Sequence, residues 1–135
     1  MSDLETQLSD QLDSYIAAFN ARDFLTAASH YHEPAVAISS SAGVTILPER
    51  VDLAGFLSNT VARLVTDGFD HSEWMGPKKV VVLGEGLVLV SCACKRLRDD
   101  GTSCEEFAVI YTLRKEGERW WIAAIHQHDL GMQLK

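Results

Sequence analysis

The side chains able to do chemistry near neutral pH fall into a few short strings. Two are His-x-His pairs, His30-Tyr31-His32 and His126-Gln127-His128. Histidine moves protons in this pH range and is a common metal ligand. In an extended segment both members of a pair share one face. Four imidazoles would hold zinc or nickel only if the two pairs met in space. Nothing in the sequence brings them together, so no metal site and no cofactor are assigned. Cys92 and Cys94 lie two apart on a predicted strand, with Cys104 on the next. A turn centred on Asp100-Gly101 sets Cys94 against Phe107 and Cys104 against Leu97. No two thiols are then in register to bridge, and Cys-x-Cys with one distant cysteine does not match a zinc spacing. The three read as reduced core or interface thiols. The same register sets Lys95 against Glu106 and Arg96 against Glu105, two cross-strand ion pairs. The plain reading is a solvated surface. The sharper one turns one pair inward, beside a ligand.

These groups need elements to position them. The chain has 135 residues, 47% of them apolar and 23% charged, which fits one domain with a substantial core. The net charge of −7 argues against a nucleic-acid partner, whose phosphates need a basic surface. The acidic start Met1-Ser2-Asp3-Leu4-Glu5 lacks the basic and apolar regions of a signal peptide, and no apolar run approaches a membrane span. The expectation is a cytoplasmic protein with no membrane partner.

Leu4, Leu8, Leu12, Tyr15, Ile16 and Phe19 share one helical face, with Ser2 and Glu5 as a capping box. The first helix is therefore expected over about Asp3–Asn20. Asp23 can cap a short helix from Phe24 to about His30. Ala35–Ile38 and Val44–Leu47 read as a small hairpin. Leu53, Phe56, Leu57, Thr60, Val61 and Leu64 mark a third helix after Pro48, ended at Asp67-Gly68. Four strands follow, the first bent near Gly76-Pro77 and the last three forming a meander through Asp100-Gly101 and Lys115–Glu118. Helices first and strands second indicate an α+β fold. Regular alternation puts His126 and His128 on the face of Trp120 and Ile122. The last strand is apolar on both faces, so a second subunit is the simplest cover for the outer one. A homodimer through the sheet is the expected assembly.

Two strings carry a family resemblance. Tyr15-Ile16-Ala17-Ala18-Phe19-Asn20-Ala21-Arg22-Asp23 resembles the N-terminal pattern of NTF2-like proteins, ketosteroid isomerase among them. Trp120-Trp121-Ile122-Ala123-Ala124-Ile125-His126 resembles the terminal strand of SnoaL-like families. The resemblance implies a cone-shaped, cystatin-like fold: N-terminal helices packed on a curved, mainly antiparallel sheet, with a largely apolar pocket at the open end. It also implies frequent dimers packed through the sheets.

The isomerase chemistry that the resemblance brings needs a tyrosine, an aspartate base and a second acid. Tyr15 matches the tyrosine. The base position aligns with Ser39, which cannot replace a carboxylate, and the second acid falls near Val109 or Ile110. Steroid isomerisation is therefore not expected. His126 matches the histidine of the SnoaL-like string, and with Tyr15 across the cone it would make an acid/base pair. Phe19, Phe56, Trp74, Phe107, Tyr111 and His128 are the candidate ligand-binding residues. The function expected is binding of a small apolar molecule, with isomerase, cyclase or hydrolase activity through Tyr15 and His126 as its catalytic form. The alternative is a non-enzymatic dimerisation or partner-binding module.

Overall fold

The computed structural model describes residues 3–134, so the capping box expected between Ser2 and Glu5 lies outside the described residues. Helix α1 spans Asp3–Asn20 and buries Leu8, Leu12, Tyr15, Ala18 and Phe19, the stripe its 3.6-residue period dictates. Asp23 caps α2 (Phe24–Ala28), its carboxylate accepting the Thr26 N–H at 3.2 Å. Helix α3 spans Arg50–Val65, and the Asp52 carboxylate accepts the Glu49 N–H at its start. The strands are β1 (Tyr31–Ser39), β2 (Gly43–Leu47), β3 (Phe69–Gly84), β4 (Leu87–Arg98), β5 (Ser103–Glu116) and β6 (Arg119–His128). They form one open, curved sheet in the order β2-β1-β6-β5-β4-β3, antiparallel throughout except for the parallel β1–β6 pair. Among the described residues no helix is long and apolar enough to cross a membrane.

The corner after α1 shows what one of the resembling strings does physically. The Asn20 amide donates to the Ser72 carbonyl at 2.9 Å and accepts the Ser72 N–H at 2.8 Å, tying the helix end to β3. Arg22 then turns the chain with φ +63°, donates to the Asp70 carbonyl and lies over the Phe69 ring. Asn20→Ala leaves buried Ser72 with its N–H and carbonyl unpaired. It should cost about 1–3 kcal/mol in urea unfolding. A loss below about 0.5 kcal/mol would show that this pair does not hold the corner.

Three register details depart from simple alternation. Helix α2 stops at Ala28 rather than near His30, and β1 begins at Tyr31, earlier than Ala35. The reason is long-range: Ile122 donates its N–H to the His30 carbonyl, and Tyr31 pairs with Ile122 across the parallel junction. At the β4–β5 hairpin, Cys94 faces Phe107, Lys95 faces Glu106 and Arg96 faces Glu105, as the turn signal predicts. Leu97, however, pairs with Ser103, so Cys104 is extruded and does not face Leu97. The turn closes one residue tighter than a symmetrical one, because Arg98 donates to the Thr102 carbonyl and Asp100 holds Thr102.

The third detail matters most. On β6, Ile122 pairs with Leu113 and Ala124 with Thr112, leaving Ala123 as an extra residue. A one-residue bulge exchanges the faces of everything beyond it. Trp120 and Ile122 point into the core, and past Ala123 it is Ile125 and Gln127 that continue the inner face. His126 and His128 therefore do not share the face of Trp120 and Ile122.

Candidate functional site

The concave side of the sheet, closed by α1 and α3, encloses a cavity of about 380 Å³ open at one end. Each wall is positioned by strand or helix periodicity. Helix α1 contributes Tyr15, Ile16 and Phe19, and α3 contributes Phe56, Leu57, Thr60, Arg63 and Leu64. Inward positions of β3, β4 and β5 recur at every second residue: Ser72 and Trp74, Cys94 and Arg96, then Glu105, Phe107, Val109 and Tyr111. Strand β6 adds Ile125 and Gln127, and the β1–β2 hairpin adds Ala37, Ser39 and Thr45. Tyr15 and the candidates Phe19, Phe56, Trp74, Phe107 and Tyr111 thus come together in one chamber. Tyr15 sits edge-on to Tyr31 and Tyr111 with ring centroids 5.4 and 6.1 Å away, and Trp74 meets Tyr111 edge-on at 6.1 Å.

His126 is not in this chamber. It lies on the outer face, in register with Ile38 and Ile110. The Tyr15–His126 pair expected across the cone does not form, because the bulge at Ala123 turns His126 away. His128 lines a separate pocket of about 250 Å³ that shares Ser39, Ser41, Glu105, Phe107 and Gln127 with the main one. Its Nδ1–H donates to the Asp129 carbonyl at 3.1 Å. His30 and His32 flank Tyr31, which pairs with Ile122, whereas His126 pairs with Ile38 further along β1. The two His-x-His strings lie at opposite ends of the β1–β6 ladder. His32 donates Nδ1–H to the Pro34 carbonyl and sits 3.3 Å from Glu116.

The polar end of the chamber is the Arg96–Glu105 pair, the inward one of the two cross-strand pairs. Arg96 Nη1 donates to both Glu105 carboxylate oxygens at 2.8 and 3.0 Å, and its guanidinium stacks 4.3 Å over Phe107. Gln127 Nε2 donates to Glu105 Oε1 at 3.2 Å. Lys95, on the outer face, approaches Glu73 at 3.9 Å in place of an ion pair with Glu106. Glu105 is the one carboxylate among the described residues lining the chamber, and no histidine lines it. Burial pushes the Tyr15 phenol up to about 12, so it stays protonated at neutral pH and is a hydrogen-bond donor. Burial likewise pushes Cys94 up to about 11 and Cys92 to about 12, so neither is a nucleophilic thiolate. All three cysteines are free thiols. Ser39, at the position aligned with the isomerase base, accepts the Ala42 N–H through its hydroxyl and lines the chamber mouth.

Of the residues that shape this site, Ile125 and Gln127 were hidden from the sequence by the bulge. Ala37 was hidden because a short strand carries no sign of its parallel partner. The inward turn of Arg96 and Glu105 had a signal: both lie in phase with Cys94, Phe107 and Tyr111, which are apolar and inward.

Comparison with known proteins places this geometry in a family. The family described as NTF2-like protein (DUF6841) matches residues 5–130. No curated protein matches the sequence. Among solved structures, an NTF2-like protein with a cystatin-like fold from Novosphingobium aromaticivorans is 19% identical, covering 91% of this chain and 79% of its own, with a TM-score of 0.73. A Catenulispora acidiphila protein solved in complex with S-DNPA is 14% identical, covering 94% and 95%, with a TM-score of 0.75. A Xanthomonas campestris protein described as a calcium/calmodulin dependent protein kinase II association domain is 12% identical, covering 93% and 87%, with a TM-score of 0.69. At these identities the likeness shows the fold and leaves activity open.

Proposed function

The chain belongs to the NTF2-like protein family, and we propose that it binds a small, largely apolar molecule inside the cone. The observation that carries this reading is the chamber of about 380 Å³, walled by Tyr15, Phe19, Phe56, Trp74, Phe107 and Tyr111 and open at one end. Small-molecule sites have this character, a concave apolar wall with few polar groups. The Catenulispora acidiphila relative, solved in complex with S-DNPA, lends support. In this reading Tyr15 serves as a donor to the ligand, and Glu105, the one carboxylate among the described residues lining the chamber, would take up a proton only on parting from Arg96. Any catalysis runs through these two and not through His126. A thermal-shift screen of bicyclic aromatics, sterols and aromatic polyketides tests the reading. Bicyclic compounds are expected to raise Tm by several degrees at concentrations well above Kd. No shift from any class would sink it.

A second reading, self-association, rests on the opposite face of the sheet. The ladder registers align Ile46, Val36, Ala124, Thr112 and Leu89 in one row, and Val44, His126 and Ile110 in the next, joined through Ile38, which also reaches the chamber. Val44 and Ile46 are 66% and 70% exposed, a large apolar area for a sheet facing water. We infer that a second copy covers this face and that His126 lies within the contact. The relative described as an association domain favours the same use of the fold. Two readings of one chain are compatible here, since they use opposite faces. Ile46→Glu should halve the mass measured by light scattering at micromolar concentration. A wild-type protein that is already monomeric there would remove this reading.

A further inference from the structure

The open end of the chamber carries a positive charge that the protein leaves uncompensated. The exposed lining residues are Ser41, Ala42 and Gly43 of the β1–β2 hairpin and Arg63 of α3, and they mark that end. Arg63 continues the inner face of α3 that starts at Phe56 and passes through Thr60, at the spacing of helical neighbours. Its Nη2 lies 3.5 Å from the Thr60 hydroxyl, at the limit of hydrogen bonding. Among the described residues that is the only side-chain bond Arg63 makes, and no carboxylate pairs with it. A basic residue in the last turn of a helix often serves the free carbonyls there. Here the chain serves them itself. Thr66 donates its N–H and its hydroxyl to the Arg63 carbonyl, Asp67 N–H donates to the Leu64 carbonyl, and Gly68 N–H to that of Val65. The Arg63 guanidinium is therefore not spent on capping.

The other charges of the lining are already matched. Arg96 Nη1 holds both Glu105 oxygens, and Gln127 donates to one of them as well. Two guanidiniums against one carboxylate leave the lining positive, on a chain whose net charge is −7. A ligand ammonium would meet Arg63 with no free carboxylate to offset the repulsion. A neutral head group would leave Arg63 to water. A carboxylate accepts two parallel N–H bonds from a guanidinium, the pairing whose geometry this group favours. Resting on the reading that the chamber binds a small apolar molecule, we propose that Arg63 is an anion-recognition residue at its mouth. The ligand class is then an apolar monocarboxylate, with its hydrocarbon body among the aromatic walls and its carboxylate on Arg63 at the open end.

Three naphthalenes of nearly equal size test this: 3-(2-naphthyl)propanoate, its neutral primary amide and 3-(2-naphthyl)propylammonium. Each is titrated by displacement of the neutral fluorophore N-phenyl-1-naphthylamine from wild type, Arg63→Gln and Arg114→Gln. Arg114 is exposed on β5 and lies outside the chamber, so its variant makes the same change of net charge elsewhere. The propanoate is expected to bind wild type roughly tenfold more tightly than the amide, as one charge-assisted pair would give, with the ammonium weakest. Arg63→Gln should remove most of that preference and leave amide affinity within about threefold, while Arg114→Gln keeps the preference. Equal affinity of propanoate and amide for wild type would overturn the proposal. So would a preference unchanged in Arg63→Gln, one lost equally in Arg114→Gln, or the ammonium binding tightest. Should Arg63→Gln not fold, the order of the three wild-type affinities still decides. If the fluorophore and all three naphthalenes fail to bind, the pocket reading itself falls, and that result is distinct from a pocket without preference for the acid.

Discussion

Ile122→Ala is expected to lower stability by about 2–5 kcal/mol, the range for truncating a fully buried isoleucine. Ile122 is 0% exposed and pairs with Leu113, also 0% exposed, on one side and with Tyr31, likewise 0% exposed, on the other. These surroundings belong to three strands and cannot collapse easily onto a lost side chain, so the upper half of the range applies. The same truncation at Ile110, whose side chain lies on the outer face of β5 in register with His126, should cost clearly less at protein concentrations where the chain is monomeric. Urea unfolding of the two variants measures the difference. Equal losses would mean that the two faces of the sheet are not distinguished as described. A larger loss at Ile110 would mean that the outer face is the core.

Ala37→Phe should abolish binding of bicyclic ligands, with affinity falling roughly a hundredfold or more, while the fold persists. Ala37 faces Ile125 across the β1–β6 ladder and lines the chamber. A phenyl ring projecting from this position occupies space within about 380 Å³ that a ligand would otherwise fill. Because the ring enters open volume, the usual overpacking cost of about 1–3 kcal/mol should be largely absent. Displacement titrations with N-phenyl-1-naphthylamine read the affinity, and urea unfolding reads the stability. Unchanged affinity would place the ligand elsewhere. A large loss of stability would show that the chamber is already filled by its own side chains.

Both expectations turn on one local event that the amino-acid pattern does not announce. Helix boundaries at Asp3–Asn20 and Arg50–Val65 follow from apolar spacing, and the Asp100-Gly101 hairpin follows from turn chemistry. Those are local signals, so they were legible. The aromatic walls were legible too, because Phe19, Phe56, Trp74, Phe107 and Tyr111 all sit in regular helix or strand segments. The bulge at Ala123 is different. Trp120 through Ile125 is apolar at every position, so either parity satisfies a hydrophobic pattern. Only the pairing of Ile122 with Leu113 and of Ala124 with Thr112 selects one, and that pairing is set by strands distant in sequence. Reading through the bulge moved His126 into the cone and kept Gln127 out of it. The extruded Cys104 is the same kind of error on a smaller scale, made by a turn that closes one residue tighter than its Asp-Gly centre suggests.

Chemistry was harder to read than shape for a related reason. Histidines drew attention as titratable groups, yet the described residues lining the chamber include two tyrosines, two arginines and one carboxylate. The Arg96–Glu105 pair is an ordinary cross-strand pair by sequence. Its phase along β4 and β5 turns it inward, where both residues line the chamber.

The most direct test of the account labels the δ1 methyl groups of the isoleucines with ¹³C and follows their NMR shifts as a bicyclic ligand is added. Ile16 and Ile125 line the chamber, whereas Ile46 and Ile110 lie on the outer face. The account predicts large, saturable shifts at Ile16 and Ile125 and none beyond noise at Ile46 and Ile110. Shifts at Ile110 and Ile46 with Ile125 unmoved would contradict it.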